Sequence, residues 1–186
     1  MTDLRYPIGK FQWTAPEGEE RSANNRVDYI DAIAKLPPRM RAAVRDLRPE
    51  QLDIPYRPDG WTVREVVHHV PDSHMNAYVR FKLALTEEQP PIKPYREAEW
   101  AKLPDTPATP VEVSLQLLDS LHTRWVELLR GMRPSDFERT LYHPEQGVVT
   151  LDRMLALYAW HSAHHVAHIT SLRERMGWNQ RAASQH

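Results

Sequence analysis

Four histidines fall within eight residues of the sequence: His161, His164, His165 and His168. Neutral imidazoles are good ligands for a divalent ion, so metal binding is the chemistry this cluster could do. On a helix, His161 and His165 stand one turn apart and their side chains converge. His168 lies seven residues beyond His161, about 10.5 Å along a helix axis, so these three cannot all grip one ion. One neighbouring pair plus a ligand from another helix is the arrangement that works. His-x-x-x-His is a short and common pattern, and spacing alone leaves a second reading open. These could be core histidines, hydrogen-bonded to the backbone and to one another.

A partner ligand would come from His68, His69 or His74. The segment from Trp61 has an apolar stripe of Val63, Val66, Val67, Val70, Ala77, Tyr78 and Phe81, and His74 falls on it. His69 falls on an adjoining polar ridge of Thr62, Glu65, His69, Ser73, Asn76 and Arg80. Periodicity therefore nominates His74, with His69 as the flanking candidate. Pro71 can bend this helix. His122 and His186 have no constellation around them.

These side chains need helices to hold them. A first helix starts near Ser22 with Val27, Ile30, Ile33 and Leu36 at helical spacing, is broken or bent at Pro37 and Pro38, and continues over Arg39–Leu47. The second runs from Trp61 to about Leu85. Thr86 to Ala108 is a proline-rich connection. A third helix starts at Thr109-Pro110-Val111-Glu112, with Thr as cap and Pro in the first turn, and carries Leu115, Leu118, Leu121, Trp125, Leu128 and Met132. A loop through Tyr142-His143-Pro144-Glu145 leads to a Thr150 cap and a last helix. That helix ends near Met176, where Gly177 suits the C-terminal turn. Its apolar stripe of Leu151, Met154, Leu155, Tyr158, Ile169, Leu172 and Met176 includes His161, His165 and His168, with His164 nearer the margin. No alternation is long enough for a strand. The fold class predicted is all-α: an antiparallel four-helix bundle with a proline-rich crossover, in one domain over 1–186. Residues 1–21 form an irregular arm, with Tyr6, Pro7, Phe11 and Trp13 free to pack on the body, and 181–186 a frayed tail.

Composition narrows the chemistry further. The sequence has no cysteine, which excludes disulfides, thiolate nucleophiles and thiolate ligands. Any metal must use nitrogen and oxygen, and any thiol must come with a substrate. A net charge of −1 gives no case for nucleic acid or an anionic membrane. No apolar run reaches the roughly 18 residues of a bilayer span and no signal core opens the sequence, so a cytoplasmic protein is expected.

The segment Trp61-Thr62-Val63-Arg64-Glu65-Val66-Val67-His68-His69 resembles the start of the second helix in the DinB-like superfamily, where a Trp precedes a metal-binding His by eight positions. His161-Ser162-Ala163-His164-His165-Val166-Ala167-His168-Ile169 is similar to that superfamily's closing His-x-x-x-His segment. Leu4 to Gly9, His68 to Leu85, Tyr142-His143-Pro144 and Ala167 to Trp178 resemble its YfiT-type branch, described as metal-dependent hydrolases and including bacillithiol S-transferases. The resemblance implies a four-helix bundle, commonly a homodimer, with zinc or nickel on His69, His161 and His165. It thus selects His69, which periodicity does not. Pro71 departs from the small helix former expected there.

Three imidazoles leave a divalent ion with open positions, as in catalytic sites. The resemblance favours a hydrolase acting through metal-bound water on a small molecule. An S-transferase activating a low-molecular-weight thiol uses the same ion. A non-catalytic metal-stabilised module is the third reading; it requires a fourth protein ligand and no adjoining cavity. No general base is assigned. Glu65 could support His69 or cap its helix, and His143 and Glu145 could line a pocket mouth.

Overall fold

The computed structural model of the chain describes residues 3–15 and 18–178, so the expected tail over 181–186 lies outside the described residues. The first helical stretch divides at Lys35 into α1 (Glu19–Ala34) and α2 (Leu36–Val44). Pro37 and Pro38 occupy the first turn of α2, where a missing N–H breaks no intrahelical bond. They open the second helix rather than ending the first. After the short α3 (Pro49–Leu52), α4 (Val63–Thr86) begins at a Thr62 cap. Thr62 Oγ1 accepts from the Glu65 N–H at 3.1 Å, and the Glu65 carboxylate accepts from the Thr62 N–H at 2.7 Å. Glu65 is thus committed to the cap and not to His69. Helix α4 runs through the buried Pro71 without interruption.

The crossover over residues 87–110 contains two single turns, α5 (Glu97–Trp100) and α6 (Asp105–Ala108). Pro110, not Thr109, caps α7 (Val111–Arg130). A 3-10 turn over Pro134–Glu138 precedes an antiparallel hairpin, β1 (Thr140–His143) with β2 (Gly147–Thr150), where a plain loop was expected. Tyr142 also pairs with the crossover, donating to the Pro90 carbonyl and accepting from Ile92, each at 3.0 Å. The last helix, α8 (Leu151–Arg175), is capped by Thr150 Oγ1, which accepts from the Arg153 N–H at 3.2 Å. Gly177 takes the positive φ of 66° that the turn beyond α8 needs. None of the described helices is long and apolar enough to cross a membrane.

Four rods therefore make a bundle, with α1 and α2 together forming one of them. Both α1–α2 and α4 pack against α7 and α8. Contacts give the directions. Ile33 meets His122 while Arg41 meets Asp119, so α1–α2 and α7 are antiparallel. His69 meets His165 while His74 meets His161, so α4 and α8 are antiparallel as well. His68 meets Ser114 and His74 meets His122, making α4 and α7 parallel, and Arg26–Asp152 with Arg173–Ala43 does the same for α1–α2 and α8. Parallel neighbours need a return path, which the proline-rich crossover supplies between α4 and α7.

The apolar interior is in two clusters. One gathers Ile33, Phe81, Trp125 and Leu155; the other gathers Leu36, Val66, Leu118 and Ile169. In each rod the two sets are separated along the sequence, and between them stand His74 on α4, His122 on α7, and His161 and His165 on α8. The bundle holds a layer of imidazoles between two oily ones.

Candidate metal centre

Three ring nitrogens, one each from His69, His161 and His165, lie within 4.8 Å of one another. His69 and His165 are buried and His161 is partly so. His161 Nε2 and His165 Nε2 face each other at 3.1 Å. Helix α4 brings His69 alongside, its ring 4.9 Å from that of His165 and 5.5 Å from that of His161. The Trp61 ring packs on His69 at 4.5 Å and holds it toward the pair. Burial pushes the His69 imidazole down to about 4 and the other two well below their ordinary range. All three are therefore neutral at neutral pH, the form that offers a lone pair.

The remaining histidines surround this group without joining it. His74, the periodicity candidate, is fully buried and sits one step out, its Nε2 3.0 Å from His161 Nδ1. Its Nδ1 is 3.0 Å from His122 Nε2, and His122 Nδ1 is 2.8 Å from the Ile33 carbonyl oxygen. His122 thus does have a constellation, contrary to expectation. The sign was its place in the buried series Leu115, Leu118, His122, Trp125 and Leu129 of α7. On the other side His168 Nδ1 is 3.4 Å from His165 Nδ1, and His168 Nε2 is 3.1 Å from the Arg5 carbonyl oxygen. That carbonyl belongs to the N-terminal arm, which also packs Tyr6 near His164 and Phe11 near Trp160. His68, also buried, turns away to Ser114.

Whether the site suits a metal can be tested by counting protons. Five imidazoles form one chain of six contacts, from the Ile33 carbonyl through His122, His74, His161, His165 and His168 to the Arg5 carbonyl. Each neutral imidazole brings one N–H, and both ends of the chain can only accept. Five protons must serve six contacts, so one contact is left empty and takes either one more proton or a metal ion. The His161–His165 contact, with His69 beside it, is where three nitrogens are ready to receive one. The donor set of three imidazoles fits a divalent transition-metal ion.

A cavity of about 510 Å³ adjoins the three histidines. Arg5, Arg57 and Arg80 line it, as do Ser73 and Tyr95. His143 and Glu145 also line it, from the hairpin. The Tyr95 hydroxyl is buried without a well-aligned hydrogen bond; burial raises its pKa, and the nearby Ser73 hydroxyl works against that rise.

Residues 32–169 match the DinB superfamily, and the chain belongs to it. It is 56% identical over 178 residues to a protein of Bacillus mycoides (strain KBAB4) named "Putative metal-dependent hydrolase", covering 96% of this chain and 100% of that one. A relative in Bacillus cereus (strain B4264) has the same description and the same identity and coverage. Among solved structures, YfiT from Bacillus subtilis, described as a probable metal-dependent hydrolase with an unusual four-helix bundle topology, superposes with a TM-score of 0.88. It is 46% identical over 96% of this chain and 100% of its own. The four-helix bundle protein TT2238 is similar in fold, with a TM-score of 0.53 at 22% identity over 77% of this chain and 94% of its own.

Proposed function

We propose that this protein is a metal-dependent hydrolase of small molecules, with one zinc or nickel ion held by His69, His161 and His165. The observation that carries this is the facing pair of Nε2 atoms beside His69, in a chain of contacts one proton short, opening on a cavity. The names of the Bacillus relatives support the same reading. A metal ion on three imidazoles would polarise a substrate carbonyl and acidify water.

The chain's own residues supply the rest. Trp61 packs on His69 and holds it toward the His161/His165 pair. Arg5, Arg57 and Arg80 line the cavity together with Glu97 and Glu145, so its wall carries both signs of charge and suits a polar substrate. The Tyr95 hydroxyl, beside Ser73 on the cavity wall, can offer a hydrogen bond to a bound molecule. A purely structural metal module is disfavoured, because the three-histidine group opens on this cavity. A cytoplasmic setting goes with this reading, since a chain without cysteine needs no oxidising compartment.

Two measurements test the proposal. Wild type should bind one equivalent of zinc by calorimetry, and His69→Ala and His161→Ala should each lose it on dialysis; full retention by both removes the site. The zinc-loaded protein is then assayed on esters and amides with and without a low-molecular-weight thiol. Cleavage without thiol supports the hydrolase. Strict thiol dependence with no cleavage replaces it with an S-transferase, for which the cysteine-free sequence leaves the substrate's thiol without a competitor.

A further inference from the structure

We propose that His74, His122 and His168 are positioning residues, which dictate which nitrogen of His161 and His165 carries the proton and so aim both Nε2 lone pairs at one point. The inference rests on the metal centre proposed above and extends it to residues that would touch no ion.

The logic runs inward from two main-chain carbonyls. The Ile33 oxygen can only accept, so His122 donates to it from Nδ1 at 2.8 Å. His122 Nε2 is then bare and must accept from His74 Nδ1–H at 3.0 Å. His74 Nε2, bare in turn, accepts from His161 Nδ1–H at 3.0 Å, which leaves the lone pair of His161 on Nε2. From the other end, the Arg5 oxygen accepts from His168 Nε2–H at 3.1 Å. His168 Nδ1 then accepts from His165 Nδ1–H at 3.4 Å, leaving His165 with its lone pair on Nε2. Reversing a whole run would turn an imidazole lone pair onto a carbonyl oxygen, and turning over only its inner ring would set two bare nitrogens against each other, at His74–His161 or His165–His168, and leave the facing Nε2 pair a proton in place of an ion. His74 is 0% exposed and His122 2%, so water cannot readily substitute for a missing partner in the run from Ile33, whereas His168, 3% exposed, borders the cavity.

Metal-ligating histidines commonly have their second nitrogen held by a carboxylate or carbonyl. Here no carboxylate takes part in either run. The carbonyl of Ile33 at the end of α1 acts on His161 through two intervening rings, and that of Arg5 in the N-terminal arm acts on His165 through one. Each ligand of α8 is thereby oriented by a different segment of the chain.

The test is made on the full chain. In long-range ¹H–¹⁵N spectra of the zinc-loaded wild type, His161, His165, His74 and His122 should be protonated on Nδ1 and His168 on Nε2. His74→Leu removes the acceptor for His161 and should weaken zinc binding about 10- to 100-fold, with loss of the single His161 tautomer. His74→Gln can place an amide oxygen near the position of Nε2 and should return affinity to within a few-fold of wild type. A proton on Nε2 of His161 or His165 in the loaded wild type overturns the proposal. So do equal losses in the Leu and Gln variants, or no loss in the Leu variant. If neither variant folds, the wild-type spectrum decides alone. A wild type that binds no zinc sinks the metal centre and this inference together, whereas zinc binding with the wrong tautomers sinks only the inference.

Discussion

Asp72 stands on α4 one turn beyond His68, partly buried, with Asp105 of α6 close enough to act on it. Burial, and then the like charge of Asp105, raise its carboxyl from an ordinary 3.8 to about 6. The folded state therefore disfavours the ionised form. A carboxyl whose pKa rises on folding contributes stability that is complete below the unfolded value and is lost as pH climbs through the folded one. The window is thus pH 3.8 to about 6. At 1.36 kcal/mol per pH unit, the gap sets a ceiling of about 3 kcal/mol on the penalty at neutral pH. Asp72 is only partly buried and solvent screens it, so about 1 kcal/mol is expected. Asp72→Asn removes the charge and keeps the shape. Urea denaturation of both proteins at several pH values should show little difference at pH 4, and the variant more stable by about 1 kcal/mol at pH 7.5, with the gap opening across that window. A difference independent of pH, or a variant less stable at pH 7.5, would refute the reasoning.

Two further outcomes follow from contacts already described. Thr62→Ala removes the acceptor for the Glu65 N–H and should cost about 1 kcal/mol in thermal or urea unfolding, with hydrogen exchange rising in the first turn of α4; unchanged exchange there would show that the cap does not hold that turn. Tyr95→Phe removes a buried hydroxyl that has no well-aligned hydrogen bond, with Ser73 its nearest polar neighbour, so the melting temperature should change little while KM for a turned-over substrate increases; a fall in stability of more than about 1 kcal/mol would mean the contact with Ser73 is structural.

Much of the architecture was legible because the long helices announce themselves by spacing and caps. The Thr150 cap and Gly177 mark α8 to within a residue at each end. The hairpin was not legible, since each strand has only four residues. Leu141 and Val149 turn inward while Tyr142 and Val148 face out, too short an alternation to stand above background. The pair His161 and His165 could be read from the stripe of α8. His69 could not, because it lies on the polar ridge of α4, and a polar ridge ordinarily faces water. Here His69, Ser73 and Arg80 of that ridge line the cavity beside the three histidines instead of the outer surface. His74 misled for the complementary reason: it lies in the core, and its partner His122 is distant in sequence, so no local pattern could reveal their pairing.

The directions of the rods also bear on how the molecule comes together. Among the three candidate ligands, His69 lies on α4 and the other two on α8, with the crossover, α7 and the hairpin intervening. A nascent chain that has emerged only as far as α7 offers a single imidazole of the three and cannot gather them. Formation of the centre must wait for α8 to dock between α1–α2 and α4, a closure over long sequence separation and therefore a slow one. An ion captured at that moment would act as a late latch on the finished bundle, slowing its unfolding more than it hastens its folding.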